Sequence, residues 1–165
     1  MVWVMVEKVL WYFRKKEWGN YLLSINWLFK KLNIMASIFT KIVNGEIPSY
    51  KIAETEDYYA FLDIRPLMKG HTLVIPKVEV DYIFDLDDEV LKGLMAFAKK
   101  VARAIEKTIE CNRISVGVFG LEVPHAHIHL IPMNTMRDVN FSKTPLQLTR
   151  EEFEEIAAAI QENFA

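Results

Sequence analysis

Residues 124–132 read Pro-His-Ala-His-Ile-His-Leu-Ile-Pro, a run in which three histidines alternate with apolar residues. Successive side chains of a β-strand point to opposite faces, so this period of two predicts a strand over residues 126–131 with His125, His127 and His129 on one face. Side chains on that face lie about 6.6 Å apart along the strand, close enough to act around one ligand. The residues between them are expected to face the core, and they are Ala126, Ile128 and Leu130.

A fourth histidine opens another predicted strand. His71 lies in the run Lys-Gly-His-Thr-Leu-Val-Ile-Pro-Lys at residues 69–77, and the chain has four histidines in all. If the two strands are close in space, every imidazole meets in one site. A lone histidine on a strand is usually a structural residue, whereas three alternating ones are more typical of a reactive site. The spacing alone leaves open whether they act as nucleophile and acid or ligate zinc beside a catalytic water.

The rest of the chain predicts a sheet around this stretch. Short β-rich segments are separated by polar connections or by connections with Pro or Gly, which indicates an antiparallel meander of about five strands. The predicted strands cover residues 51–54, 58–62, 72–75, 113–119 and 126–131. Because strands are followed by segregated helices that can cover the sheet, we predict the α+β class.

Three helical segments accompany these strands. A short helix is predicted from Ile38 to the turn dipeptide Asn44-Gly45. Residues 87–110 carry apolar residues at three- and four-residue steps, which gives this helix one apolar face for packing on the sheet. The capping box Thr149-x-x-Glu152 predicts the start of the final helix, because its side chains can satisfy exposed backbone N–H groups.

Composition narrows the function. With 165 residues, 52% of them hydrophobic, the chain is long enough for one domain with a sizeable core and short for two. A net charge of -2 supplies no basic field for a nucleic acid polymer, which leaves a small anionic ligand as the expected partner. The single cysteine, Cys111, fits a reducing compartment, so we expect a cytoplasmic location. No apolar run approaches the roughly 18 residues of a membrane-spanning helix, and no membrane partner is expected.

Residues 1–34 differ from the rest of the chain. They hold all four tryptophans and six Lys or Arg against two Asp or Glu, a balance of +4 that leaves -6 on the remainder. We therefore separate an N-terminal extension, residues 1–34, from a domain over residues 35–165. The extension reads as an amphipathic segment for a membrane or partner surface, or as the result of a start codon assigned too far upstream. We favour the second reading because Met35-Ala36-Ser37 begins a segment that is complete without it.

Four segments, in this order along the chain, resemble the histidine triad (HIT) family of hydrolases. They are Ile-Phe-x-Lys-Ile-x-x-Gly-Glu-Ile-Pro at 38–48, Phe-Leu-Asp-Ile-Arg-Pro at 61–66, Gly-His-Thr-Leu-Val-Ile-Pro-Lys at 70–77 and the triad at 125–129. The resemblance covers residues 37–132. It implies a HIT-like fold of the nucleoside phosphoramidase or diadenosine polyphosphate hydrolase type, in a homodimer whose sheet extends across both subunits.

The resemblance also implies how the histidines divide the chemistry. His127 is the nucleophile that attacks the α-phosphate and forms a covalent nucleotidyl-histidine, which water then cleaves. His129 contacts the phosphate and helps the leaving group depart, a general-acid type of role, while His125 and His71 orient and polarise the cluster. No cofactor is implied. The cysteine pair that binds zinc in some relatives is absent, so we expect no metal.

The same resemblance assigns the nucleotide-binding positions. Asp63 matches the family carboxylate that accepts hydrogen bonds from the ribose hydroxyls, although it also reads as a turn residue before a strand. Positions that enclose the base in relatives are matched by apolar residues that can equally be ordinary core: Ile38, Phe39, Ile42, Phe61 and Ile64. The phosphate-facing segment departs from the family's Gly-Gln pattern and reads Gly120-Leu121-Glu122. Leu121 offers no amide, and an ionised Glu122 would repel phosphate.

These observations predict a nucleotide hydrolase or transferase that acts at the α-phosphate of purine nucleotide conjugates, either phosphoramidates or dinucleoside polyphosphates. Two alternatives stay open. Leu121 and Glu122 favour a nucleotide-binding regulatory module with little catalysis, which AMP binding without turnover would support. A zinc-dependent hydrolase using His125, His127 and His129 would instead lose its activity on chelation.

Overall fold

The computed structural model describes residues 36–164. Its three α-helices are α1 (Ile38–Val43), α2 (Asp88–Thr108) and α3 (Arg150–Glu162). Its five strands are β1 (Lys51–Glu54), β2 (Tyr58–Leu62), β3 (Thr72–Pro76), β4 (Arg113–Gly117) and β5 (Ile128–Met133). Two short 3-10 helices, Ile83–Asp85 and Met136–Val139, lie in the connections.

The proposed extension, residues 1–34, lies outside the described residues, so its boundary with a domain over residues 35–165 stays a prediction. Within residues 36–164, no helix is both long and apolar enough to cross a membrane. At 21 residues α2 has the length, but charged residues such as Lys99 and Lys100 occupy its exposed side.

The five strands form one antiparallel sheet in the order β1-β2-β3-β5-β4. This confirms the α+β class and the five-stranded sheet predicted from the sequence. The first three strands form the predicted meander, after which α2 carries the chain to β4 at the edge and β5 returns between β3 and β4. Strand order is decided by this crossover and not by any local period. It places β5, which contains His129, directly beside β3.

One face of the sheet packs against α2 and α3 and carries the larger core. Val74, Ile128 and Leu130 project from the strands into this core and meet Leu94 and Val101 of α2. All five are fully buried. Burial of each such side chain contributes roughly 1.5–3 kcal/mol, so this layer is the main source of stability. As predicted, the apolar residues between the histidines face it.

The opposite face has a thinner cover. Phe39 and Ile42 of α1 pack there on side chains from β2 and β3, which are Tyr59, Phe61, Leu73 and Ile75. Leu73 lies directly opposite His129 in the register of β3 and β5, so His129 projects from this same face. The sheet therefore presents the histidines away from its main core.

The ends of the helices follow the signals in the sequence. Thr149 Oγ1 accepts the Glu152 N–H at 3.2 Å, and the Glu152 carboxylate accepts the Thr149 N–H at 2.7 Å, which confirms the capping box. Asp87 caps α2 by accepting the Glu89 N–H at 2.9 Å. Gly45 follows α1 with φ at 75°, a left-handed conformation that favours glycine.

Four strand boundaries differ from the predicted ones. β3 ends at Pro76 instead of residue 75, and β5 ends at Met133 instead of residue 131. The β3–β5 ladder starts at Ile128 because the N–H of Ala126 donates to Val80 O at 2.7 Å, in the loop that follows β3. The predicted strand over 126–131 therefore begins two residues later. β4 ends at Gly117 instead of residue 119, and the chain turns away toward Gly120. His129 is consequently the only triad histidine inside a strand.

Candidate active site

The four histidines lie together on the thinly covered face of the sheet. His71 immediately precedes β3, His129 lies within β5, and His125 and His127 lie in the segment just before β5. All four are buried, with at most 8% of any one residue exposed. The ring centroid of His129 is 5.0 Å from that of His127 and 5.2 Å from that of His71. The adjacency of β3 and β5 thus brings the predicted histidines into one site.

A backbone contact fixes the tautomer of His127. Its Nδ1 lies 2.6 Å from the carbonyl oxygen of His125, and because a carbonyl only accepts, Nδ1 carries the proton. Nε2 then holds the lone pair, and no hydrogen bond among residues 36–164 engages it. Phe39 meets the ring edge to face with the centroids 5.2 Å apart. An imidazole with its proton on Nδ1 and an unengaged lone pair on Nε2 is suited to nucleophilic attack.

His125 is held at both ring nitrogens. Its Nε2 lies 2.8 Å from Pro76 O, so that nitrogen carries the proton and donates. Its Nδ1 lies 2.8 Å from Ser37 Oγ. Because Ser37 Oγ accepts the N–H of Thr40 at 3.1 Å, its own proton is available for His125 Nδ1. The residue whose ring is held in this way also supplies the backbone carbonyl that accepts the Nδ1–H of His127.

Glu79 completes this network from the loop after β3. One carboxylate oxygen accepts the N–H of Ser37 at 2.9 Å and the hydroxyl of Thr40. Burial acts to raise the pKa of Glu79, but the hydrogen bonds from Thr40 and Ser37 outweigh it and the pKa is lowered. Burial lowers the pKa of His125, against the hydrogen bond to Pro76 O and the charge of Glu79. We call Ser37, Thr40, Glu79 and His125 the anchor network.

His71 and His129 form a second hydrogen-bonded unit, the relay pair. The N–H of Leu67 donates to His71 Nδ1 at 3.1 Å, so the proton of His71 is on Nε2. That N–H donates to His129 Nδ1 at 3.0 Å, which puts the proton of His129 on its own Nε2. The relay pair therefore presents an N–H donor beside the lone pair of His127.

Burial keeps the relay pair neutral. It lowers the pKa of His71 to about 4. It is also the main reason why the pKa of His129 falls to about 3, with further lowering by His71 and His127 and an opposing effect of Asp63. Asp63 Oδ2 lies 3.7 Å from His71 Nε2, while its Oδ1 accepts the Arg65 N–H at 2.8 Å. Asp63 is thus a turn residue and a neighbour of the relay pair at once.

Asp63, His71 and His129 also place one ligand atom each within 4.8 Å of one another, a spacing that a cation can use. The tautomer of His71 opposes this use. Its Nδ1 lone pair accepts the Leu67 N–H, so a metal at Nε2 would have to displace the only ring proton. The cluster fits a hydrogen-bonded relay better than a resident metal ion.

The five apolar positions matched to base-enclosing residues divide into two groups. Phe39, Ile42 and Phe61 are buried in the smaller core, which supports the core reading for them. Ile38 and Ile64 are 48% and 71% exposed and so are available to a ligand. Phe39 belongs to both descriptions, because its ring also contacts two of the histidines.

The phosphate-facing segment stands apart from the cluster. Gly120 has φ at 63°, a conformation that favours glycine. Leu121 is 95% exposed and Glu122 is exposed. Within residues 36–164, no hydrogen bond or ion pair joins Glu122 to a histidine. The structure therefore does not bring Leu121 and Glu122 into contact with the triad, and Val123 is the first residue of this segment to pack against the smaller core.

Sequence reasoning missed five residues that surround the histidines. Three belong to the anchor network, Ser37, Thr40 and Glu79, and two are aromatic neighbours of His129, Phe119 and Phe141. A Ser-x-x-Thr pair at the start of α1 is a helix-capping signal, but it does not reveal a histidine partner 88 residues away. The pattern Gly117-Val118-Phe119 at the end of β4 was a usable signal, because a glycine leaves room for a nearby ring to lie against the backbone.

Known proteins resemble this chain over most of the described region. The model of the HIT domain matches residues 44–136. Adenosine 5'-monophosphoramidase HNT1 from Saccharomyces cerevisiae is 44% identical over 98 residues, which cover 59% of this chain and 62% of that protein. An uncharacterized HIT-like protein from Borreliella burgdorferi is 35% identical over 134 residues, covering 76% and 96%. The chain thus spans less than two thirds of the yeast protein but nearly all of the Borreliella protein.

A solved structure supports the fold. The zinc-bound histidine triad family protein from Mycobacterium smegmatis superposes with a TM-score of 0.69 at 28% identity, covering 79% of this chain and 94% of that one. The five-stranded sheet and its helices therefore form an arrangement that is shared with a known protein.

Proposed function

This chain belongs to the HIT family, and from that premise we propose that it is a nucleotide hydrolase acting at the α-phosphate of purine nucleotide conjugates. A phosphoramidate is the substrate that we consider first, by analogy with the yeast monophosphoramidase. The observation that carries the proposal is the Nε2 lone pair of His127, set by the 2.6 Å contact from Nδ1 to the carbonyl of His125. It supports a covalent nucleotidyl-histidine intermediate.

In the first step the Nε2 lone pair of His127 forms a bond to phosphorus. The bond from phosphorus to the leaving nitrogen breaks, and its electron pair stays on that nitrogen, which takes up one proton from solvent. The Nε2–H of His129 donates a hydrogen bond to the departing atom. His127 becomes a phosphorylated imidazolium, and its Nδ1–H bond to the carbonyl of His125 stabilises the new positive charge.

In the second step a water oxygen attacks the same phosphorus. The bond between phosphorus and His127 breaks, its electron pair returns to Nε2, and one proton passes to solvent. AMP leaves and His127 is again neutral. The anchor network contributes by holding His125, because a displaced carbonyl would release the tautomer on which both steps depend.

For nucleoside binding we assign the ribose hydroxyls to Asp63. Its Oδ1 is occupied by the Arg65 N–H, and its Oδ2 faces the relay pair and has acceptor capacity left. The base is assigned to the apolar surface around Phe39, with Ile38 and Ile64 as the exposed members.

We also propose a cytoplasmic homodimer. β4 is an edge strand in which Val116 is 54% exposed, and Val118 just beyond it is 41% exposed. Met95 of α2 and Val116 line a shallow pocket next to that edge. An apolar strand edge is commonly paired or covered, so a second copy that continues the sheet there fits. Gel filtration that gives a monomer would contradict the dimer.

The test is to incubate the protein with adenosine 5'-phosphoramidate in excess chelator and to measure AMP release. We expect chelator-resistant release that His127→Gly abolishes, because the nucleophile is gone. Added imidazole should restore part of that release by entering the space of the missing ring. After denaturation at alkaline pH, at which a phosphorus–nitrogen bond to histidine survives, the parent should carry one nucleotidyl group and the variant none.

Other outcomes distinguish the alternatives. If calorimetry detects AMP binding but no AMP is released from the phosphoramidate, the regulatory module is favoured. The exposed residues Leu121 and Glu122 already support that alternative. Release that stops on chelation would favour the zinc-dependent reading.

A further inference from the structure

Two aromatic rings stand beside His129 on the side of the cluster away from Phe39. Phe119 and Phe141 contact each other with ring centroids 4.3 Å apart. Each also contacts His129, at 5.3 Å for Phe119 and 5.4 Å for Phe141. Phe119 is 53% exposed and Phe141 46% exposed, although the imidazole they touch is buried. The pair therefore forms an open aromatic surface at the edge of the histidine cluster.

The backbone of β4 is adapted to the position of Phe119. Gly117 pairs with His129 in the β4–β5 register. A methyl group at Gly117 would lie 2.8 Å from one carbon of the Phe119 ring and 2.9 Å from another, closer than real contacts allow. The ring thus rests on bare backbone at the β4 residue directly opposite His129. Phe141 reaches the same spot from the segment after Met136–Val139, where its ring also approaches His71 at 6.5 Å.

This surface and the one around Phe39 contact different histidines. Phe39 contacts His125 and His127, the anchored side that carries the nucleophile. Phe119 and Phe141 contact His129, whose Nε2–H donates to the departing atom in the proposed function. In a displacement at phosphorus the leaving group departs opposite the nucleophile, so a leaving group beside His129 also lies beside these rings.

We propose that Phe119 and Phe141 form a subsite for the leaving group and that it takes a planar aromatic ring, carried either by an amine or by a second nucleoside. The inference rests on the proposed function. Aromatic rings favour planar partners by stacked or edge-to-face contacts worth more than their buried area, which a saturated ring of the same size does not reproduce. Two half-exposed rings leave faces and edges available for such a contact.

The experiment compares two adenosine phosphoramidates whose amines carry six-carbon rings, the planar aromatic ring of phenethylamine and the saturated ring of cyclohexylethylamine, with the unsubstituted phosphoramidate as reference. For the parent we expect kcat/KM to be about three- to tenfold higher on the phenethyl conjugate than on the cyclohexylethyl conjugate. Phe119→Leu and Phe141→Leu should each bring this ratio close to one. Because the readout is a ratio, partial loss of folded enzyme cancels.

Two further variants sharpen the test. Gly117→Ala should lower the ratio with both rings still present, since the new methyl group displaces the Phe119 ring. Phe84→Leu is the matched control: Phe84 is 74% exposed, and its aromatic contact among the described residues is with Tyr82, so the ratio should not change. A diadenosine polyphosphate that loses kcat/KM in Phe119→Leu would identify a second nucleoside as an occupant.

The subsite and the proposed function fail differently. Turnover of the unsubstituted phosphoramidate without a preference between the two amines overturns the subsite alone, as does a preference that survives Phe119→Leu and Phe141→Leu. An equal loss on both amines means that the rings only pack on His129 and also overturns it. Absence of turnover on all three compounds overturns the proposed function and the subsite together.

Discussion

The histidine cluster consists of two halves, the anchored half and the relay half, that are held by different hydrogen bonds. In the anchored half, His125 is held by a serine hydroxyl and a backbone carbonyl, and it fixes His127 through its own carbonyl. In the relay half, His71 accepts a hydrogen bond from the N–H of Leu67 and donates one from its own Nε2–H to His129. One half ends in a lone pair and the other ends in a donor.

Four identical side chains can therefore have distinct hydrogen-bonding roles. A single backbone partner decides each tautomer: a carbonyl at His127 Nδ1 and an N–H at His71 Nδ1. The surroundings differ as well. The anchored half has an ionised carboxylate, Glu79, at its outer end, whereas the relay half is strongly desolvated and bordered by aromatic rings. The two halves should therefore respond differently to acid and to mutation.

Acid should have its largest effect on stability through the relay half. The pKa values of His71 and His129 are about 4 and about 3 when folded, against 6.5 for an unperturbed histidine. Between pH 7 and pH 5 the unfolded chain takes up these two protons and the folded chain does not, so stability falls as the pH falls. Each histidine contributes about 2 kcal/mol over this window, about 4 kcal/mol for both.

Urea unfolding at pH 7 and pH 5 measures this loss, in a range above the titration of ordinary carboxyl groups. His71→Gln removes one of the two titrating groups and should reduce the difference between the two pH values by about 2 kcal/mol. A free energy of unfolding that is equal at pH 5 and pH 7 would show that the relay pair is not held neutral.

The second prediction concerns the donor at the end of the relay. His129→Asn shortens the side chain and withdraws the N–H from the departing atom, so kcat on a phosphoramidate should fall about a hundredfold. The same variant should lose far less on a p-nitrophenyl ester of AMP, whose leaving group departs without help. His71→Asn should cost about tenfold, because His71 acts only through His129. Equal losses of His129→Asn on both substrates would contradict the assigned role.

The third prediction tests the anchored half. Glu79→Gln replaces a charged acceptor of Ser37 and Thr40 by a neutral one, which should cost about 1 kcal/mol of stability. Loosening of His125 should lower kcat about three- to tenfold with little change in KM, because the nucleophile and not the binding surface is affected. Glu54→Gln is the matched control, since Glu54 forms ion pairs with Lys51 and Lys77 and, within residues 36–164, no hydrogen bond joins its carboxylate to a histidine or to the anchor network.

This third result separates positioning from packing. A merely structural Glu79 would lower the melting temperature and leave kcat per folded molecule unchanged, as expected for the Glu54 control. Loss of kcat without loss of stability would also be informative, because it would place the whole effect on the orientation of His127.

Local patterns predicted most of the fold. The period of two in β5, the helical period over α2 and the capping box at Thr149 each depend on neighbours within a few residues, and all three are confirmed. The order of the strands was not predictable in the same way, since β5 enters between β3 and β4 through a crossover. The late start of β5, at Ile128, also depends on a distant partner, because the carbonyl of Val80 accepts the N–H of Ala126.

The site shows the same division. The alternating histidines and His71 could be predicted because they lie on or just before strands with readable patterns, although their catalytic roles stay predictions. Ser37 and Glu79 could not, because their contacts join segments 42 and 88 residues apart, and the capping signal at Ser37 does not reveal a distant partner. Tautomers were beyond prediction for the same reason, since each depends on one backbone group supplied by the fold.

The smallest predicted effect belongs to neither half. Glu122 is exposed and outside the cluster, so its charge acts on a bound phosphate only through screened water. Glu122→Gln should tighten AMP binding by about twofold at low salt, as for other weak surface charge effects, and the gain should vanish as the ionic strength rises. Titration calorimetry at two salt concentrations measures it, with the exposed Glu110→Gln as control. Unchanged or weaker affinity would mean that Glu122 points away from the nucleotide, and the regulatory alternative would lose one of its two supporting residues.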